Sequence, residues 1–102
     1  MKDVHEGNFE TETKTGPVVL DFWAEWCSPC KQLLPIVENI SKEMSAVKFC
    51  KINIDNSPNL AKMHGIRGVP VLVFMKDGKE ISRNVGLMNA TDLKSKISQI
   101  LK

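Results

Sequence analysis

No long apolar run, no run of basic side chains, no repeat and no low-complexity tract occurs in this sequence of 102 residues. Each absence removes a class of function. With no apolar stretch near the length of a bilayer span, a membrane helix is not expected. The 14 basic and 12 acidic side chains are scattered and leave a formal charge of +2, so no basic face is offered to a nucleic acid. The N-terminus, Met1-Lys2-Asp3-Val4-His5-Glu6, has no apolar stretch behind its first charge and does not read as a secretory signal. If the chain is complete, a reducing, cytoplasmic compartment is the expectation. Cysteines are few, three in all, and an odd count argues against a secreted disulfide framework. Cysteine chemistry rather than cysteine stapling is what remains to be tested.

What is present suits an ordinary soluble globular chain: 42% hydrophobic and 25% charged residues. The length predicts a single domain over 1–102, with one modest core and no room for a large cofactor cavity. Residues 2–5 form a short first strand. Asn8 caps a helix to about residue 15, anchored by Phe9 but poorly amphipathic. After Gly16-Pro17, residues 18–23 are apolar at nearly every position, as in a central strand covered on both faces. A long helix runs from about 27 to 44, with Leu33, Ile36, Val37, Ile40 and Met44 as its buried stripe. Pro35 inside it predicts a kink. Residues 47–54 form another buried strand. Ser57 caps a short helix with Pro58 in its first turn, and Gly65 ends it. Residues 71–75 and 80–85 form a hairpin about Asp77-Gly78. Asn89 and Asp92 make a capping box for a last helix whose apolar face is Leu93, Ile97, Ile100 and Leu101. The order β-α-β-α-β-α-β-β-α gives an α/β class, with a mixed sheet and helices on both sides.

The segment Trp26-Cys27-Ser28-Pro29-Cys30-Lys31 joins the buried strand to the long helix. Cysteines three apart at a helix start can bring their sulfurs into bonding range. First-turn N–H groups and the helix dipole favour a thiolate at Cys27. The thiolate is the attacking species in disulfide exchange, so Cys27 is the expected nucleophile and Cys30 the thiol that resolves the mixed disulfide. Zinc sites use the same spacing. Such a site needs two further ligands, and only Cys50, His5 and His64 remain, with no second paired motif.

Val19-Leu20-Asp21-Phe22-Trp23-Ala24-Glu25-Trp26-Cys27-Ser28-Pro29-Cys30-Lys31 resembles the active-site segment of the thioredoxin family. Lys51-Ile52-Asn53-Ile54-Asp55 resembles its third strand, Gly65-Ile66-Arg67-Gly68-Val69-Pro70 its substrate-side loop, and Val85-Gly86 the neighbouring turn. The resemblance runs in register from about Phe9 to the C-terminus. It implies the thioredoxin fold, a central mixed five-stranded sheet flanked by four helices, and general protein-disulfide reduction by a monomer. It further implies that no cofactor is bound, and that electrons come from NADPH through a flavoprotein thioredoxin reductase. The partners implied are that reductase and disulfide-containing proteins. Family roles fall on Cys27 as nucleophile, Cys30 as resolving thiol and Pro70 as a cis-proline facing the dithiol. Trp26, Val69, Val85 and Gly86 would line the contact surface, with Ser28 and Pro29 beside them. Ser28 departs from the glycine common in the family. Its hydroxyl can tune a sulfur, or the change can be neutral at an exposed turn.

Asp21 is a carboxylate inside an apolar strand, where an unpaired charge is costly. Either it takes the proton from Cys30, through water, or it turns toward solvent at the strand end. Lys51 can be its ionic partner or a snorkelling lysine. Pro70 is cis by resemblance and trans by default. Trp26 is expected partly exposed, Cys50 buried and unreactive, and His64 on the surface near a helix end. Three functions compete: a disulfide reductant, a binding module on the same fold, and an oxidase or isomerase. The paired cysteines, Asp21 and Pro70 favour the first over the second. The serine-proline pair and the absence of an export signal favour reduction over oxidation.

Overall fold

The computed structural model describes residues 1–101. Among them the elements run β1 (Lys2–Asp3), α1 (Phe9–Thr13), β2 (Pro17–Trp23), α2 (Ser28–Glu43), β3 (Lys48–Asn53), α3 (Pro58–Met63), β4 (Val71–Lys76), β5 (Lys79–Val85) and α4 (Ala90–Leu101). That is the expected order. The strands form one sheet ordered β1-β3-β2-β4-β5. β1, β3 and β2 are parallel, and β4 and β5 are antiparallel to their neighbours.

Central β2 explains its own composition. Val19, with Phe49, Leu72 and Phe74 of its neighbours, faces α2 and α4 and packs on Leu33, Val37, Leu93 and Ile97. Val18, Leu20 and Phe22 face the other way, where Leu60 of α3 and Phe9 of α1 cover them. A strand buried on both faces has no polar side to show.

Local sequence accounts for most element ends. Cys27, rather than being the first helical residue, is the N-cap of α2: its Sγ accepts the Cys30 N–H at 3.1 Å. The helix runs unbroken through Pro35. His64 caps the end of α3, and Gly65 follows with φ +65. The Ile66 N–H then bonds the Ala61 carbonyl at 2.8 Å and the Gly65 N–H the Lys62 carbonyl at 3.1 Å, a Schellman turn. Asp77 and Gly78 both have positive φ, 51 and 82, as a type I′ hairpin turn requires. Asn89 Oδ1 accepts the Asp92 N–H at 2.8 Å and caps α4.

Four expectations change. Helix α1 stops at Thr13, because a segment with one large apolar anchor has little to dock. Asn8 does not cap it through its side chain, since its Oδ1 accepts the His5 N–H instead, at 2.8 Å. Ser57 makes no side-chain cap either; the Glu6 carboxylate, brought across by the fold, accepts the Asn59 N–H at 2.9 Å. Leu101 is 41% exposed. It lies one step past buried Ile100, a turn of about 100° off the apolar face.

Among the described residues, no helix is long and apolar enough to cross a membrane.

Candidate active site

The dithiol sits where β2 hands over to α2. The Cys27 N–H bonds the Ala24 carbonyl at 3.2 Å, which turns the chain out of the sheet. Pro29 occupies the first helical turn, where its missing N–H costs nothing. Cys27 and Cys30 are joined as a disulfide with their Cα atoms 5.3 Å apart. Both are nearly covered, packed on Ala24 with Trp23, Ile54 and Val69 around them. The N–H that reaches Cys27 Sγ belongs to a helix of 16 residues, so bond and dipole together favour negative charge on that sulfur.

A second segment closes over the pair. The Val69–Pro70 peptide is cis. The Val69 carbonyl oxygen lies 3.6 Å from Cys27 Sγ. The Gly86 N–H bonds the Pro70 carbonyl at 2.9 Å, so the turn after β5 is fastened to the same loop. Val85 lies opposite Val71 and is 74% exposed. On the other flank Trp26 is 67% exposed, and its indole N–H donates to Asp55 at 2.9 Å. Ser28 and Pro29 are exposed between the sulfurs, and among the described residues the Ser28 hydroxyl makes no hydrogen bond to either. Two residues that sequence reasoning passed over belong here. Asp55 holds Trp26, and half-exposed Leu87 continues the apolar rim beyond Gly86.

Asp21 is fully buried, which removes the solvent-facing reading. Its ladder partners are Lys51 of β3 and Leu72 of β4. Strand alternation puts it on the Val19 face, the one covered by α2. Among the described residues neither carboxylate oxygen has a hydrogen-bond partner. Burial pushes its carboxyl up to about 7, against the opposing pull of the Lys51 charge. Lys51 follows the snorkelling reading of the two open to it. Among the described residues its ion pair is with Asp3 at 3.7 Å, and its ammonium lies 5.6 Å from the Trp23 ring centre. Asp3 is in register with Lys51 from β1 and is well exposed, so the ammonium snorkels toward a wet carboxylate. It acts on Asp21 through its field.

Cys50 is buried, and burial pushes its thiol up to about 11. His64, expected on the surface, is instead half-buried between Phe9 and Phe22, with ring centres 5.0 and 5.5 Å away. Its Nδ1 lies 2.9 Å from the Leu60 carbonyl. Among the described residues no group of three or more His, Cys, Asp or Glu side chains converges as a metal site would need.

The family model for thioredoxin matches residues 1–99. The chain belongs to the thioredoxin family. A thioredoxin of Chlamydia caviae is 43% identical over 99 residues, 97% of each chain. One of Rickettsia bellii is 44% identical over 94 residues, 89% of this chain and 90% of its own. A solved thioredoxin variant from Halobacterium salinarum matches with a TM-score of 0.92 at 34% identity, over 99% of this chain and 90% of that one. The mixed five-stranded sheet with four helices is thus the thioredoxin fold. Thioredoxins are disulfide oxidoreductases, and this member carries its CxxC pair at bonding distance. It is a dithiol–disulfide oxidoreductase.

Proposed function

We propose that the protein reduces disulfides in other proteins, with Cys27 attacking and Cys30 resolving. The Cys27 thiolate attacks one sulfur of a target disulfide; the other target sulfur leaves and takes a proton from solvent. Cys30 gives its proton to Asp21, through water, and its sulfur attacks Cys27 Sγ. The second target sulfur then leaves and is protonated. Two electrons have passed to the target, and the Cys27–Cys30 disulfide remains. An NADPH-dependent thioredoxin reductase, a flavoprotein, returns them.

The observation that supports this reading most is the Cys30 N–H directed at Cys27 Sγ, 3.1 Å away, at the N-cap of α2. Asp21, with its carboxyl pushed up to about 7 by burial, is suited to both accept and return a proton near neutral pH. Lys51 tunes that value by its charge. The target lies as an extended segment along the Val69 backbone beside Pro70, against Trp26, Ser28, Pro29, Val85 and Gly86. Residues 1–102 work as one domain, as a monomer in the cytoplasm, needing neither nucleic acid nor membrane.

The test is insulin reduction driven by dithiothreitol. Cys27→Ser should abolish turnover, whereas turnover unaffected by that change would overturn the reading. A potential on the order of −270 mV would mark a reductant, and one near −120 mV an oxidant.

A further inference from the structure

Edge strand β5 carries an arrangement that sulfur exchange does not use. Along a regular strand, residues three apart point to opposite faces. Here the β4–β5 ladder shifts register between Phe74 and Met75: Phe74 pairs with Ser82 but Met75 pairs with Glu80. Ile81 is the extra residue of a bulge, a device that re-aims side chains. Arg83 lies opposite Val73 and Glu80 opposite Met75, and both β4 residues belong to the cluster beneath α3. The bulge therefore brings Glu80 and Arg83 to one face.

On that face Arg83 is held as a fork. Its Nε donates to Glu80 Oε2 at 2.6 Å and its Nη2 to Glu80 Oε1 at 2.7 Å. The same Nη2 donates to the His64 carbonyl at 2.8 Å. His64 is the cap residue of α3, and the chain beyond it runs through the Schellman turn to Val69 and Pro70 over Cys27. The His64 ring pins the same joint from within, wedged between Phe9 and Phe22. The Arg83 bonds hold the Glu80 carboxyl below its ordinary range, so the fork stays charged throughout neutral pH.

We propose that the Glu80–Arg83 fork positions the loop on which protein targets dock, by tethering the His64 carbonyl to the sheet edge. Among the described residues Arg83 bonds Glu80 and the His64 carbonyl and neither sulfur nor the Val69–Pro70 peptide, so it is a positioning residue and acts through the loop. The proposal rests on the disulfide-exchange reading. It predicts a selective defect: a protein target that must lie along the loop suffers, and a small disulfide that meets only Cys27 does not.

The experiment is single-turnover oxidation of the reduced protein by insulin and, in parallel, by dithiobis(nitrobenzoate). Arg83→Met should raise the half-saturating insulin concentration roughly three- to tenfold, with the limiting rate and the small-disulfide rate nearly unchanged. Arg83→Lys, which keeps the charge but not the fork, should fall between. Glu80→Gln should shift insulin in the same direction and carries the test if Arg83→Met does not fold. Amide hydrogen exchange at Gly65, Ile66 and Gly68 should quicken in these variants, with α2 unchanged. Equal slowing of both disulfides would overturn the proposal, as would an unchanged insulin half-saturation in both Arg83→Met and Glu80→Gln. A wild type that reduces neither disulfide would instead overturn the exchange reading, and this proposal with it.

Discussion

Asp21 pays a stability cost for its place beneath α2, and the sign of that cost fixes its pH dependence. Its carboxyl is raised from 3.8 to about 7. Between those values the folded chain holds a proton that the unfolded chain has lost, so stability falls as pH rises through the window. At about 1.4 kcal/mol per pH unit, the whole window is worth up to roughly 4 kcal/mol. Asp21→Asn should therefore be more stable than wild type at pH 8, and the gain should fade toward pH 4; urea melts at the two pH values measure this. The same substitution should slow release of mixed disulfides more than their formation, and equal slowing would remove the proton-transfer role. Cys50 gives the opposite kind of prediction. With its thiol near 11 and no exposure, it should resist iodoacetamide at pH 7.5 in the folded protein while reduced Cys27 reacts, which peptide mapping would resolve. The chemistry of the site was legible at this scale because spacing carries it: Cys27, Cys30 and a carboxylate inside an apolar strand. What was not legible depends on residues far away in sequence. Lys51 turns to Asp3 because β1 pairs beside it, and Trp26 finds Asp55 across the site.

At the scale of elements, each helix end is a small separable contribution. Asn89→Ala removes the acceptor of the Asp92 N–H and should cost about 1 kcal/mol, read as a lower urea midpoint with activity retained. Gly65 holds φ +65 in the turn that leads to the docking loop, and a Cβ added there would meet nothing within 4 Å. Gly65→Ala therefore meets no clash, only backbone strain of roughly 1 kcal/mol. Elements with strong periodicity or a local stop signal were readable in advance: β2, α2, the Asp77-Gly78 hairpin and the Asn89 cap. Three of the misses, at Asn8, Ser57 and His64, share one cause. Asn8 and Ser57 have the side chains of caps, but the fold supplied other partners, His5 for one and Glu6 for the Asn59 N–H near the other. His64 was misplaced for the same reason: a polar residue beside a glycine reads as surface until Phe9 and Phe22 converge on it. The bulge at Ile81 has no signature in alternation, because it exists only relative to the strand beside it.

At the scale of the molecule, the sheet divides the core in two but does not divide the folding. Strands β2 and β4 supply both halves. Val19 and Leu72 pack beneath α2 and α4, while Val18 and Val73 pack beneath α1 and α3. Loss of either layer leaves one face of the same two strands in water, so neither half has a stable existence alone. Leu93→Ala on one side and Leu60→Ala on the other should each cost about 2–5 kcal/mol. Both should do so by lowering the urea midpoint at constant slope, with the disulfide kept intact. Tryptophan fluorescence, reporting on Trp23 and Trp26 at one end of β2, and far-ultraviolet dichroism, reporting on all helices, should follow the same transition in every case. Separate transitions in the Leu93→Ala protein would mean that α4 comes away alone. The dithiol at the start of α2 would then rest on a sheet that stays folded without α4, contrary to a sheet whose two faces are one set of strands.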